Sequence, residues 1–161
     1  MKKLFILAAA VVLSATFLKA QTADPELDYI KKAYSKEKKA IVNEYMKLDE
    51  QGGTKFWPVY DAYEASREKL AVQRIGLLDE YDTNADKLTD ELADKLAKAL
   101  LANNVSLDKL NQKYYGKMKK AVGALSAAKF MQLEVYLQTT WRSVLQELVP
   151  LIGELDKTKK D

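Results

Sequence analysis

Residues 92–121, LADKLAKALLANNVSLDKLNQKYYGKMKKA, decide the fold class of this chain. Their apolar side chains return at intervals of three and four, which is the period of an amphipathic α-helix. The positions on this seam are Leu92, Leu96, Ala99, Leu107, Leu110, Tyr114, Met118 and Ala121. Asn103, Asn104 and Ser106 do not shift the phase of the seam, so we predict one continuous helix through them.

The same period continues on both sides of this stretch, and no segment alternates as a half-buried strand does. Helices are predicted from Asp24 to the glycine pair Gly52 and Gly53, from Thr54 to about residue 81, over residues 88–121, and from Ser126 to about residue 148. Residues with side chains suited to capping helix starts are Asp24, Thr54, Thr89 and Ser126. We therefore expect an all-α protein, an elongated antiparallel helical hairpin or bundle of about four long helices.

The first 20 residues have the pattern of a secretory signal peptide. Lys2 and Lys3 precede an apolar run, and Ala20 supplies the small residue before a cut at Gln21. The apolar run is about 15 residues long, whereas a bilayer span needs about 20. We predict export to the periplasm with the signal cleaved and no stable membrane insertion afterwards. Residues 21–155 are predicted to form a single helical domain, and residues 156–161 a disordered charged tail.

The charge balance depends on this export signal. The chain has 26 Lys+Arg against 23 Asp+Glu, and three of the basic residues lie in the first 20 residues, which contain no acid. The remainder is neutral, so nucleic acid is not a predicted partner. The only basic cluster that we recognise from the sequence is Lys31, Lys32, Lys36, Lys38 and Lys39. We interpret it as a solvated face, with an anionic membrane surface or an acidic partner as alternatives.

The residue types exclude several classes of chemistry. The chain has no His and no Cys, which removes thiol nucleophiles, disulfides and imidazole or thiolate metal sites. Asp82, Asn84 and Asp86 resemble the start of a calcium-binding loop. Lys87 and Ala93 occupy the positions where such a loop needs glycine and a bidentate glutamate. We therefore predict no enzyme activity, no metal and no cofactor, and interpret residues 82–86 as a polar turn.

Aromatic and arginine side chains are the candidates for contact with another protein. Arg67 and Arg74 lie in the predicted seam of the second helix, where their stems cover core or their guanidinium groups contact a partner. Aromatic residues at helical spacing serve as core or as binding surface. The candidate binding residues are Trp57, Tyr60, Arg67, Arg74, Tyr115 and Trp141, of which Trp57 and Tyr115 lie off the main seams.

Several short segments resemble the Spy/CpxP-like family of periplasmic helical proteins, which is named for Leu-Thr-x-x-Gln motifs at helix starts. The resemblance covers most of residues 48–152. Its carriers are Lys47-Leu48-Asp49-Glu50-Gln51, Phe56-Trp57-Pro58-Val59-Tyr60, Leu88-Thr89-Asp90-Glu91, Tyr114-Tyr115 with Met118, Phe130 with Leu133-Glu134, and Pro150-Leu151-Ile152. The segment Leu88-Thr89-Asp90-Glu91 is followed by Leu92 at the position where the family motif has glutamine. In the third such motif, at residues 125–129, Ser126 and Lys129 replace threonine and glutamine.

The resemblance implies a dimeric, all-helical cradle that binds unfolded or stressed proteins without ATP. Some members of the family instead inhibit a sensor kinase, and a metal-sensing branch uses histidines that this chain lacks. Two hypotheses follow. In the first, the protein is a chaperone-like holder of unfolded envelope proteins. In the second, it is a regulatory partner that binds one defined domain of an envelope-stress sensor. A thin helical layer cannot bury both of its faces alone, so a homodimer is expected.

Overall fold

The computed structural model describes the backbone of residues 25–147, 149 and 151–152, and the side chains from Lys36 onward within these ranges, except those of residues 144 and 147. The chain divides into two compact units, Met1–Lys47 and Leu48–Asp161. The proposed signal peptide with its cut between Ala20 and Gln21, the cap at Asp24 and the charged tail at residues 156–161 lie outside the described residues.

The described part of the chain is helical and contains no strand, which confirms the all-α prediction. Helix α1 is Pro25–Met46, α2 is Glu50–Asn84 and α3 is Asp90–Glu147, with a 3-10 turn at Ala85–Lys87 between α2 and α3. The count is three helices where about four were expected, because the two last predicted helices are joined with only one non-helical residue between them. No helix in these ranges has the length and apolar character needed to span a bilayer.

Helix α1 ends earlier than the sequence predicted. Lys47 adopts a left-handed backbone conformation with φ of 48°, and its N–H donates to the carbonyl oxygen of Asn43 at 3.2 Å. A left-handed residue with this hydrogen bond is a common way to end a helix, although glycine usually occupies the position. The prediction that the first helix stops at Gly52 and Gly53 is therefore wrong.

Helix α2 is capped by Asp49 and not by Thr54. The Asp49 carboxylate accepts a hydrogen bond from the backbone N–H of Gly52 at 2.7 Å. A Cβ on Gly52 would lie 2.9 Å from that carboxylate oxygen, so the glycine permits the cap. Thr54 lies inside α2 and its hydroxyl donates to the carbonyl oxygen of Glu50 at 2.9 Å. The sequence signal was misread because a glycine pair can also stand in the first turn of a capped helix.

Helix α3 begins where Thr89 is placed to cap it. The Thr89 hydroxyl accepts from the N–H of Leu92 at 3.3 Å. The helix then passes through Asn103 without interruption, and the Ser106 hydroxyl donates to the carbonyl oxygen of Ala102 at 2.8 Å. The predicted continuity of this stretch is confirmed.

Gly123 divides α3 into a first arm, residues 90–122, and a second arm, residues 124–147. Its backbone has φ of 82° and ψ of 165°, a conformation that side chains with a Cβ rarely adopt. No other residue inside α3 departs from helical geometry. The predicted cap at Ser126 is therefore wrong, since Ser126 already lies within the first turn of the second arm.

The chain reverses direction at Gly123. In the first arm, Lys95 contacts Glu80 and Tyr114 contacts Ala62, so this arm runs antiparallel to α2. The second arm runs parallel to α2, because residue numbers increase along both helices from one contact to the next. Phe130 contacts Phe56, and residues 134 and 138 then contact Tyr63. Within the unit Leu48–Asp161, both arms of α3 therefore pack against α2, the first antiparallel and the second parallel to it.

An aromatic cluster fills the space between these three rods. The rings of Phe56, Tyr60, Tyr63 and Phe130 meet with centroids 5.4 to 5.9 Å apart, mostly edge to face. Edge-to-face contacts of aromatic rings add about 0.5–1.5 kcal/mol to the stabilisation from burial. Other buried side chains of this core are Leu78, Leu96, Leu107, Tyr114, Met118, Ala127, Leu133 and Leu137.

Candidate functional site

A polar network lies inside the aromatic core and joins all three rods. The Tyr63 hydroxyl of α2 lies 2.9 Å from Asn111 Oδ1 of the first arm and 2.9 Å from Glu134 Oε1 of the second arm. Gln138 donates from Nε2 to the Tyr63 hydroxyl and to Glu134 Oε1, each at 2.7 Å. Glu134 has no exposed surface. The network therefore links the three rods through buried side-chain hydrogen bonds.

The electrostatics of the network keep Tyr63 protonated. Burial raises the pKa of the Tyr63 hydroxyl far above its ordinary value of 10.0, and the neighbouring carboxylates of Glu134 and Glu64 raise it further. Arg67 acts in the opposite direction. A neutral hydroxyl can donate to the buried carboxylate, whereas a phenolate would repel it. The arrangement suits a structural hydrogen bond in the core.

Two of the predicted binding residues belong to this core. Tyr60 is 2% exposed and stacks among Phe56, Trp57 and Phe130. Arg67 is 8% exposed, and its Nε donates to both carboxylate oxygens of Glu64, at 3.1 and 3.3 Å. The protein itself covers both side chains in this structure, so their contact with a client stays a prediction.

The other four predicted binding residues are partly buried. Arg74 donates from Nη1 to Asn104 Oδ1 at 3.0 Å, and burial together with the charge of Arg142 lowers the pKa of its guanidinium. Trp57 meets Phe56 edge to face at 5.0 Å. Tyr115 and Trp141 are half-buried in the first and second arms of α3. Trp57 and Arg74 lie in α2, Tyr115 in the first arm of α3 and Trp141 in the second arm.

A groove lies between α2 and the first arm of α3. It has a volume of about 360 Å³ and is open to solvent along its length. Leu70 and Leu110 provide its apolar floor, and Ser66 lies beside Tyr114, whose hydroxyl is 3.4 Å from the serine oxygen. The full lining is Ser66, Lys69, Leu70, Ser106, Lys109, Leu110 and Lys113.

The groove is lined by cations and by no anion. Lys69, Lys109 and Lys113 are exposed, and among the residues that the structure describes none of the three forms an ion pair. The nearby Lys117 places its ammonium 4.6 Å from the centre of the Tyr114 ring. The site therefore offers positive charge over an apolar floor, which is a chemistry suited to an amphiphilic anion.

Sequence reasoning missed this basic surface. Residues 95–133 carry eight lysines and a single acid, Asp108. The neutrality of residues 21–161 concealed this excess, because the acids that balance it are concentrated in residues 24–94. Counting charge in windows would have revealed it. The interpretation of residues 31–39 as the only basic cluster was therefore wrong.

An exposed apolar pair lies on the first arm of α3, close in sequence to the groove. Leu101 is 64% exposed and Val105 is 51% exposed. Lys98 precedes them and Lys109 follows them at spacings of three and four, so the four side chains share one helical face. Lys98 forms an ion pair with Asp94 at 2.6 Å. This apolar strip, defined by Leu101 and Val105, is therefore bounded by charge at both ends.

Within the described ranges, no group of three or more carboxylates forms a constellation that could hold a metal ion. Comparison with protein-family models, with curated proteins and with solved structures yields no match to this chain. The resemblance to the Spy/CpxP-like family therefore depends only on the short motifs quoted above. Any assignment of function depends on the geometry of the chain itself.

Proposed function

We propose that this protein is an exported, ATP-independent chaperone-like protein that holds unfolded or stressed envelope proteins in the periplasm. The observation that carries the proposal is the apolar strip of Leu101 and Val105, which a helical protein exposes to solvent between two lysines. Apolar side chains on a firm helix can bind apolar segments of an unfolded chain without ordering a loop. The flanking lysines contribute long-range attraction and solubility.

Further exposed apolar residues extend this property to other elements. Val72 of α2 is 43% exposed, and Leu125 and Tyr136 of the second arm are 85% and 47% exposed. Several small apolar contacts of this kind favour weak binding to many clients over tight binding to one. We therefore prefer a broad holdase to a partner of one sensor domain.

Export and dimerisation complete the proposal. The first 20 residues direct the chain to the periplasm and are removed between Ala20 and Gln21, which mass spectrometry of the periplasmic protein would test. A second copy covers part of the exposed apolar surface. Light scattering across the micromolar range measures this, and a monomer throughout that range would contradict the homodimer.

Suppression of aggregation tests the holdase function. The processed protein is mixed with a chemically denatured client during dilution, and light scattering is followed. We expect suppression at stoichiometric ratios, and its loss in the double variant Leu101→Gln/Val105→Gln. The matched control is Val135→Gln/Ile152→Gln, which removes two exposed apolar side chains that are not assigned to client binding and retains more activity.

Two results would overturn this proposal. The first is the absence of suppression by the unmodified protein. The second is an equal loss in both double variants, which would remove the apolar strip as the binding surface. Helical content measured by circular dichroism shows that each variant is folded. A pull-down that captures one membrane protein in place of a broad mixture would favour the regulatory role.

A further inference from the structure

We propose that the basic side of α2 and the first arm of α3 binds the surface of a membrane that contains anionic lipids. We define the basic face by its five exposed lysines, Lys69, Lys109, Lys113, Lys117 and Lys120. The proposal concerns peripheral contact with lipid headgroups and does not depend on client binding. It goes beyond the holdase function, which uses the apolar strip.

The spacing of the lysines places them on one side of the unit. Lys109, Lys113 and Lys117 follow each other at intervals of four residues, which corresponds to a rise of about 6 Å per step along an α-helix. Lys120 continues the row. Lys69 comes from α2 and lines the same groove as Lys109 and Lys113. A row of cations of this kind can contact several headgroups of a lipid surface simultaneously.

Apolar groups lie between the cations. Leu70 and Leu110 form the floor of the open groove and are half-buried, so part of each side chain remains accessible. Lysine stems are themselves apolar and place the ammonium group in the headgroup layer. A helical surface of lysines that flank apolar side chains is the arrangement found in proteins that lie on anionic bilayers.

The basic face lacks the groups that would favour other polyanions. Asp108 is the sole acid between residues 95 and 133, and at 100° per residue it lies more than a quarter turn from Lys113. The face has no arginine, and Tyr114, which lies beneath Lys117, is only 5% exposed. Recognition of single-stranded nucleic acid uses accessible aromatic rings and arginine planes for stacking. The chemistry of the face therefore favours lipid over nucleic acid.

Vesicle co-sedimentation tests the proposal. The protein is purified after the exporting cell has processed it, and mass spectrometry identifies its N-terminus. The vesicles are phosphatidylcholine alone or phosphatidylcholine with phosphatidylglycerol at roughly three to one, in a low-salt buffer. We expect binding only to the second composition. The triple variant Lys69→Gln/Lys109→Gln/Lys113→Gln should bind roughly a hundredfold more weakly, at about fivefold per lysine.

The matched control is Lys36→Gln/Lys87→Gln/Lys119→Gln, which changes the net charge equally. These lysines are exposed and come from α1, the 3-10 turn and another side of α3. Both triple variants retain the N-terminus of the unmodified protein, so it cannot account for a difference between them. An equal loss in the two variants would overturn the proposal, because it would show a response to net charge alone.

A fluorescent label provides a second measurement, which reports the side of the bound protein that contacts the vesicle. The chain has no cysteine, so Ser106→Cys and Gln132→Cys each create one labelling site. Ser106 lines the groove, whereas Gln132 is exposed on the second arm. An environment-sensitive dye at position 106 should shift to shorter wavelength on anionic vesicles, and one at position 132 should not.

The label and two other polyanions also decide whether the basic face binds lipid or another ligand. Equal shifts at both labelled positions, or no shift at either, would contradict docking through the basic face. Polyglutamate and a single-stranded RNA are tested by fluorescence anisotropy. One outcome would assign the face to a polyanion and overturn the lipid proposal. In that outcome the unmodified protein binds polyglutamate or the RNA but does not bind vesicles, and the variant Lys69→Gln/Lys109→Gln/Lys113→Gln no longer binds that polyanion.

Discussion

The Tyr63 hydroxyl lies 2.9 Å from Oε1 of the fully buried Glu134, and this contact joins α2 to the second arm of α3. The two residues are separated by 71 positions in the sequence. A buried carboxylate is costly unless hydrogen bonds compensate the loss of water. The network that surrounds this contact therefore makes the pairing of the rods specific, since a shifted register would leave Glu134 in an apolar core.

Removal of the Tyr63 hydroxyl should destabilise this unit. Tyr63→Phe keeps the ring packing and deletes a hydrogen bond to a charged group, so we expect a loss of about 1.5–3 kcal/mol in the free energy of unfolding. Urea denaturation followed by circular dichroism measures it. The control Tyr115→Phe alters a half-buried tyrosine and should change stability by less than about 0.5 kcal/mol. Equal stability of the Tyr63 variant and the unmodified protein would show that Glu134 does not need this donor.

Stability should also fall at alkaline pH because of Tyr63. Its pKa is raised in the folded protein by burial and by Glu134 and Glu64, with Arg67 opposing them. The stabilisation is therefore complete below the unfolded pKa of about 10. Above it the unfolded chain releases the proton and the folded protein retains it, so stability decreases by about 1.4 kcal/mol per pH unit.

Urea titrations between pH 9 and about 11.5 measure this decrease, and the comparison with Tyr63→Phe isolates it, because the phenylalanine variant lacks the proton. The other tyrosines and the lysines titrate in both proteins and cancel in the difference. We expect the two stability curves to converge as the pH rises. Parallel curves would exclude a raised pKa at Tyr63.

Much of the fold followed from the periodicity of the sequence, because apolar seams at intervals of three and four need only local geometry. The continuous helix through Asn103 and the chain reversal near Gly123 were both predicted in this way. The ends of the helices were harder to predict from the sequence. Lys47 ends α1 in a left-handed conformation that glycine normally adopts, and the pair Gly52 and Gly53 lies inside a helix instead. Neither choice has a local signal strong enough to override the usual residue preferences.

The candidate site was less predictable than the fold. Glu134 reads as an ordinary surface glutamate in the sequence, and only the packing of three rods buries it. The sequence of α2 is compatible with Arg67 as a core stem or as a partner contact, and the ion pair of Arg67 with Glu64 favours the core. The basic face depends on the antiparallel pairing of α2 with the first arm, which places Lys69 at the same groove as Lys109. Pairing of this kind is a tertiary property that one helical seam does not contain.

The end of α1 offers a stabilising substitution. Lys47 has a positive φ of 48°, which costs about 1–2 kcal/mol for a residue with a Cβ. Lys47→Gly should relieve this cost and raise the free energy of unfolding by about 1 kcal/mol, measured by urea denaturation. The control Lys47→Ala removes the same charge and retains the Cβ, so it should give no comparable gain. A destabilised glycine variant would contradict the left-handed end.

Gly123 should be the least replaceable glycine of α3. Its φ of 82° lies in a region that is strained for any side chain, although no atom lies within 4 Å of a Cβ built on it. Gly123→Ala should therefore cost about 1–3 kcal/mol through the backbone alone. Gly116→Ala is the matched control, because Gly116 lies within the helical first arm with open space around it. This substitution should stabilise the protein by about 0.5–1 kcal/mol. Thermal and urea unfolding of both variants measure the difference, and two changes of the same sign would show that the reversal between the arms does not require a positive φ at residue 123.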